Sequence, residues 1–411
     1  MTRARTLVCL AALAPWGCSS TQSAADGGSS DAAALDASDA ANPNGDQFGP
    51  WAGGAAYYAK FGNGPPSDPS FFPISVWLQS PSSATAYAAI GINQYIGLYQ
   101  GPTDQMLTDL ATAKMPAFCD QNSVGLAHLT DKTIAGWTQQ DEPDNAQPVD
   151  GGYGPCVAPA TIQSLYQTMR VADSTRPVFL NLGQGVANDA WVGRGSCSNQ
   201  PQDYPEYCKG ADIVSFDVYP INDGLDITLP AKGVDRLMQA VDDQKPVWDW
   251  IECTRIDQSN PKPTPDQVKA EVWMSIIHGA MGIGYFVHQF TPTFDEHALL
   301  DDATMKAAVA VINQQIHDLA PALNTPPIVN AATVSSSATG VPIDILVKRQ
   351  GGKLYVFAVS MGAAQTMGTF TLAKVGAASA DVLGEARQIA VAGGAFTDTF
   401  APYAVHLYAV Q

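Results

Sequence analysis

The sequence predicts an α/β chain, a (β/α)8 barrel followed by a small antiparallel β domain. Three observations carry that prediction. Eight short β-prone runs are spread between residues 70 and 320, several of them continuously apolar, as parallel strands covered on both faces must be. Helix-like stretches fall between these runs. After Pro326 the pattern changes to short strands punctuated by glycine pairs.

In chain order the eight runs are "PISVWLQ" (73–79), "INQYIGLY" (92–99), "MPAFCDQ" (115–121), "IAGWTQQ" (134–140), "RPVFLNLG" (176–183), "ADIVSFDVYP" (211–220), "KPVWDWIE" (245–252) and "IGYFVHQF" (283–290). Helical segments follow the second run at 103–114, the fourth at 159–173, the sixth at 233–244, the seventh at 264–282 and the eighth at 301–323. The segment after the seventh run opens on a capping signature: Thr264 caps, Pro265 takes the first helical position and Gln267 completes the box. Its Val268, Val272, Ile276 and Ala280 recur at about four-residue spacing and predict one apolar face. A doubly wound open sheet is the competing architecture. It usually has fewer strands and a glycine-rich nucleotide turn, and no such turn follows an early run.

Beyond Pro326, "PIDILVKRQGGKLYVFAVSM" reads as strand, Gly-Gly turn, strand. "GTFTLA", "ARQIAVAGG", "AFTDTFAP" and "YAVHLYAV" follow as further short strands. We read 48–325 as the barrel and 326–411 as a sandwich-like β domain that packs on it.

The N-terminus reads as a targeting segment. Arg3 and Arg5 precede the apolar stretch "TLVCLAALAPWG", which is too short to cross a bilayer comfortably. Cys18, with Gly17 before it and "SST" after it, resembles a bacterial lipoprotein site, which implies a signal over residues 1–17 and lipid on the Cys18 sulfur. Ordinary secretion is the alternative. Residues 18–47 are Ser, Ala, Gly and Asp with almost no large apolar side chain, a composition suited to a tether. The expected localisation is therefore exported, either anchored at the membrane or secreted.

Five further cysteines follow. Export permits disulfides, and Cys197 and Cys208, flanking "SNQPQDYPEY", are the first candidate pair; Cys119 with Cys156 is the second. There is no CxxC and no HExxH, so neither a metal site nor a cofactor is expected. The formal charge of −18 argues against a nucleic-acid partner. The absence of GxSxG leaves a serine hydrolase without support.

Reactive groups in such a barrel sit at the C-terminal strand ends. Glu142, in "IAGWTQQDEPDN", lies just past the fourth run, and Glu252, in "VWDWIECTR", ends the seventh. They are far apart in sequence, yet the barrel would aim both into one mouth. Two carboxyl groups at one mouth suit glycoside hydrolysis, one donating a proton and the other attacking the sugar carbon. Pro143 is expected to hold Glu142 in extended geometry.

This layout resembles the clan A retaining glycoside hydrolases over residues 70–320. The resemblance implies Glu142 as acid/base, Glu252 as nucleophile and Tyr219 of "FDVYP" as the sixth-strand tyrosine that touches the nucleophile. Two positions depart from the pattern. Asp141 stands where the clan commonly has Asn, and the eighth run lacks the usual Trp, leaving Phe286 or His288 to substitute.

Asp217, two residues before Tyr219, shares its strand face. Asp141, Tyr219, Asp217, Trp77, Trp250 and His288 are the candidate substrate-binding residues, each with a core or capping role as its alternative. The expected function is that of an exported retaining glycosidase acting on a polysaccharide or oligosaccharide. A non-catalytic glycan-binding barrel and a transglycosylase are the alternatives.

Overall fold

The protein is described by a computed structural model covering residues 42, 44–150, 152–190, 200–376 and 379–411, and Asp46–Gln411 forms one compact unit. The signal segment, Cys18 and Cys197 lie outside the described residues.

Eight parallel strands close into a barrel: β1 (Ile74–Trp77), β2 (Gln94–Ile96), β3 (Ala117–Cys119), β4 (Ile134–Thr138), β5 (Val178–Leu182), β6 (Ile213–Asp217), β7 (Val247–Glu252) and β8 (Ile283–Phe286). Neighbours in sequence pair in parallel, with a register shift at Ala117/Phe118 between β3 and β4, and β8 returns to β1. Each strand is followed by a helix: α1 (Ala84–Ala88), α2 (Asp104–Ala113), α3 (Ser123–Ala127), α4 (Pro159–Ala172), α5 (Tyr204–Cys208), α6 (Leu229–Ala240), α7 (Pro265–Ile277) and α8 (Ala303–Leu323). Three of these, α1, α3 and α5, are five-residue helices that the sequence reading did not mark. They are too short to show a 3.6-residue period.

Strand alternation sorts side chains into two cores. Ile96, Phe118, Ala135, Phe179, Ile213, Trp248 and Trp250 fill the barrel interior. Val178, Leu180, Val214, Phe216, Val247 and Ile251 face the helices. Bulky interior residues need small opposite partners. Gly284 on β8 supplies one, since a Cβ there would lie 2.2 Å from the Trp250 ring.

The β domain holds two antiparallel sheets. One has three strands, β9 (Ala332–Ser336), β12 (Thr366–Leu372) and β15 (Ala395–Phe400). The other has five, in the order β10 (Ile343–Gln350), β11 (Lys353–Ser360), β16 (Val405–Val410), β13 (Ser379–Val382) and β14 (Arg387–Ala390). The expected Gly-Gly turn joins β10 to β11, with Gly351 and Gly352 at φ 58° and 81°. Positive φ at both central positions is what a type I′ hairpin requires.

The Thr264–Gln267 capping box forms as read. The single apolar face predicted for α7 does not describe it, because Val268, Ala270, Glu271 and every residue from Val272 to Ile277 are buried. The barrel covers one side and the five-stranded sheet the other, with the Trp273 and Phe357 rings 5.5 Å apart. The cysteine pairing is also corrected. Cys119, Cys208 and Cys253 are free, buried thiols, so neither Cys197–Cys208 nor Cys119–Cys156 forms. Cys208 ends α5 with its side chain in the barrel's outer core. Cys156 is disulfide-bonded, and its partner is none of the other described cysteines.

Candidate active site

Glu142 follows β4 by four residues. Its backbone N–H donates to the Asn181 carbonyl of β5 at 3.1 Å, and its own carbonyl accepts from Asn145 N at 3.0 Å and from Gln147 Nε2 at 2.8 Å. The extended geometry expected from Pro143 is not adopted, for Glu142 has φ 41°, in the left-handed region. These three bonds, which close a tight turn, override the local preference. The carboxylate Oε2 then accepts from Asn145 Nδ2 at 2.9 Å.

The acid facing Glu142 is Asp217, at the end of β6, and the charge of Glu142 raises the cost of ionising it. Burial, followed by the negative charges of Glu142, Asp141 and Asp144, holds the Asp217 carboxyl well above the usual range. The Tyr219 hydroxyl lies 3.4 Å from Asp217 Oδ2. Burial pushes that hydroxyl up, and the charges of Asp217, Glu142, Asp141 and Glu252 push it further.

Glu252 ends β7 on the inward side, in step with Trp248 and Trp250, and is fully enclosed at 0% exposure. A one-turn helix, Pro220–Asp223, presents its first amides to the carboxylate. Oε1 accepts from Ile221 N at 2.5 Å, and Oε2 accepts from Asn222 N at 2.8 Å and from the Asn222 side-chain amide. Burial raises its pKa to about 7, against the opposing pull of the Asn222 and Ile221 donors.

Asp141 is exposed at the rim, with Oδ1 accepting from Asn181 Nδ2 at 3.0 Å. Asn181 Oδ1 in turn accepts from Ser215 Oγ at 2.7 Å, which itself accepts from Trp250 Nε1 at 3.1 Å. Trp250 is thereby committed to the interior at 2% exposure rather than to a sugar platform. Trp77 is partly buried and meets Trp250 edge-on, with ring centroids 5.0 Å apart. Asp144 accepts from Gly183 N at 2.9 Å, and burial pushes it up to about 7. His288 is 5% exposed; burial lowers its pKa, and its Nε2 lies 3.2 Å from Gln79 Nε2.

The mouth thus brings together Glu142, Asp141, Asp217, Tyr219 and Glu252, and turns Trp250 inward. Asn145, Asn181, Ser215 and Asn222 complete the network, and the sequence reading did not select them. One signal was available: Asn181 and Ser215 are polar positions inside otherwise apolar strands. A separate cavity of about 520 Å³ lined by Phe61, Lys114, Lys132 and Thr133 lies against the N-terminal ends of β3 and β4 and has no carboxyl group in its lining. Among the described residues, Asp295, His297 and Asp301 form a cluster with metal-ligand spacing on the segment after β8.

The fold and the mouth define a (β/α)8 barrel with an acid-lined C-terminal face. No protein-family model matches the chain, and no curated protein matches it. Among solved structures the chain is similar to a GH42 β-galactosidase from G. stearothermophilus, with TM-score 0.53, 8% identity, and 83% of this chain and 98% of that one covered. It is also similar to an α-amylase from Geobacillus thermoleovorans complexed with acarbose, with TM-score 0.52, 10% identity, and 83% and 98% covered. At these identities the likeness is one of fold, and it is the barrel architecture that the clan A resemblance implied.

Proposed function

We propose that this protein hydrolyses O-glycosidic bonds in an oligosaccharide or polysaccharide, with Glu142 as the group that protonates the leaving oxygen. The observation that carries the reading is the placement of Glu142, Asp217 and Glu252 at the C-terminal ends of β4, β6 and β7 of one closed barrel, with Tyr219 3.4 Å from Asp217. The tight turn after β4 carries Glu142 to the rim, and Asn145 Nδ2 holds its carboxyl at 2.9 Å. No cofactor enters the scheme.

Retention is the finer half of the proposal. Double displacement makes Glu252 the nucleophile, forming a glycosyl ester that water then opens with Glu142 acting as base. Because Glu252 is enclosed by Ile221 and Asn222, attack requires the Pro220–Asp223 turn to release one oxygen. That enclosure is also the observation favouring a second reading, a glycan-binding barrel that does not cleave its ligand.

The test is a screen of starch, xylan, galactan and related glycans with product mass analysis, run beside Glu142→Gln and Glu252→Ala. Turnover should fall by about 10²–10⁴-fold in the first variant and to a comparable degree in the second. Near-normal turnover in Glu142→Gln removes the assignment. An inverted anomer in the first-formed product removes the Glu252 nucleophile and leaves the hydrolase. Binding without product selects the second reading. Export with lipid on Cys18 is proposed from the sequence alone; Cys18→Ala should move the protein from the membrane fraction to the soluble one.

A further inference from the structure

We infer that the hairpin after β8 carries an outer stacking platform, formed by Phe290 and Phe294, for further rings of an uncharged glycan chain whose cleaved bond sits at Glu142. The inference rests on the hydrolase reading for the position of the cleaved bond, and on separate observations for the platform.

An unbroken series of rings leads from the acids to solvent. The Tyr219 and Phe286 rings are 5.1 Å apart and tilted by 33°, and Phe286 and His288 are 5.1 Å apart. His288 then stacks on Phe290 at 6.2 Å and 8°, and on Phe294 at 6.1 Å and 29°. Phe290 and Phe294 stack on each other at 6.1 Å and 28°. The inner members are buried or partly buried, whereas Phe290 is 48% and Phe294 60% exposed.

Scattered exposed aromatics need no explanation, but these two are contiguous and held in place. Gln289 and Asp295 exchange both backbone hydrogen bonds at 2.9 Å, closing the hairpin. Phe290 N donates to the Ile256 carbonyl at 2.7 Å, and Gln258 N to Thr291 Oγ1 at 2.8 Å. Behind the hairpin, Glu296 is fixed by Ser80 N and Gln79 Nε2 at 2.6 and 2.7 Å. A chain that invests these bonds in holding two phenyl faces toward water is preorganised to receive a flat, apolar ligand surface. Pyranose rings present such a surface in their axial C–H groups, which meet the electron-rich face of an aromatic ring.

The charge of the chain follows from the mouth. Asp141 is exposed at the rim, Asp295 and Asp301 lie beside the hairpin, and the nearby Lys262 is already paired with Asp302. A uronate or sulfated chain running from the platform into this field would be repelled. An uncharged chain is not.

The test uses the full mature chain and Phe290→Ala/Phe294→Ala, with Phe290→Leu/Phe294→Leu as a second variant that keeps apolar bulk but removes the ring face. Malto-, xylo- and β-1,4-galacto-oligosaccharides from two to six units serve as substrates. On the series that is cleaved, kcat/KM of the native protein should rise with chain length, and both double variants should lose about tenfold of that rise, mainly through KM. An unchanged length dependence in the leucine variant, with native thermal stability, overturns the platform while the hydrolase reading stands.

If no series is cleaved, gel retardation by soluble starch, xylan and galactan decides separately. Retardation of the native protein that is lost in the leucine variant supports the platform. Absence of retardation by all three, or retardation by polygalacturonate alone, overturns it.

Discussion

At the scale of single residues, Asp217 is the acid whose ionisation the mouth opposes most directly. Because burial and the neighbouring charges raise the Asp217 pKa on folding, the fold favours its neutral form. The stability this contributes is complete below the unfolded carboxyl pKa and is lost as pH rises toward the folded value. Asp217→Asn keeps a neutral donor facing Glu142 but cannot ionise. The variant should therefore gain thermal stability relative to the native protein as pH rises from 5 to 8, by about 2 °C per pH unit. A pH-independent difference in melting temperature would show that Asp217 is ionised in the native state. Asp217 and Tyr219 were legible in the sequence because strand alternation puts them on one face. Glu142 was legible because it follows a strand end, but its backbone geometry was not. Pro143 argues for an extended residue, and only the carbonyl of Asn181, from another strand, shows why the chain turns instead. The same holds for Asn222, whose role as donor to Glu252 exists only once β6 and β7 are neighbours.

At the scale of elements, all eight strands fall inside the runs read from the sequence, since buried parallel strands are marked by continuous apolar stretches. The clamp at their N-terminal ends was not visible. Arg176, fully buried, donates to the Ile134 carbonyl at 2.7 Å, the Asp131 carbonyl at 2.8 Å and Asp173 Oδ2 at 2.8 Å, so it ties β5 to the entry of β4. Trp137 Nε1 shares the same Asp173 oxygen at 3.0 Å. In sequence, Arg176 reads only as a charge before a strand. Arg176→Met would fill the space but strand a buried carboxylate and two carbonyls. It should cost about 3–5 kcal/mol in chemical denaturation. A loss under 1 kcal/mol would mean that water reaches the site and takes over the donors.

At the scale of the whole molecule, the β domain is part of the barrel's packing, which the sequence reading reached in kind but not in consequence. Phe357, Val359, Val405 and Leu407 belong to the same apolar cluster as the barrel's outer face. Lys348, 1% exposed, sits over the Trp51 ring at 3.8 Å and donates to the Thr325 carbonyl, with burial lowering its pKa to about 7. The first residues of the compact unit also reach this domain, through the Asp46–Arg349 ion pair at 2.7 Å and the Phe48–Ile328 bridge. Removing residues 327–411 would expose α7 on its second side, including Trp273, whose ring packs on Phe357. An exposed apolar patch of that kind leads to association. The truncated chain should be recovered as aggregate, or should bind a hydrophobic dye and lose cooperative melting, whereas Phe357→Ala in the full chain should cost about 3–5 kcal/mol and remain monodisperse. A truncated barrel that melts cooperatively near the native temperature would show that the two sheets are an appendage, and that the acid-lined mouth owes nothing to them.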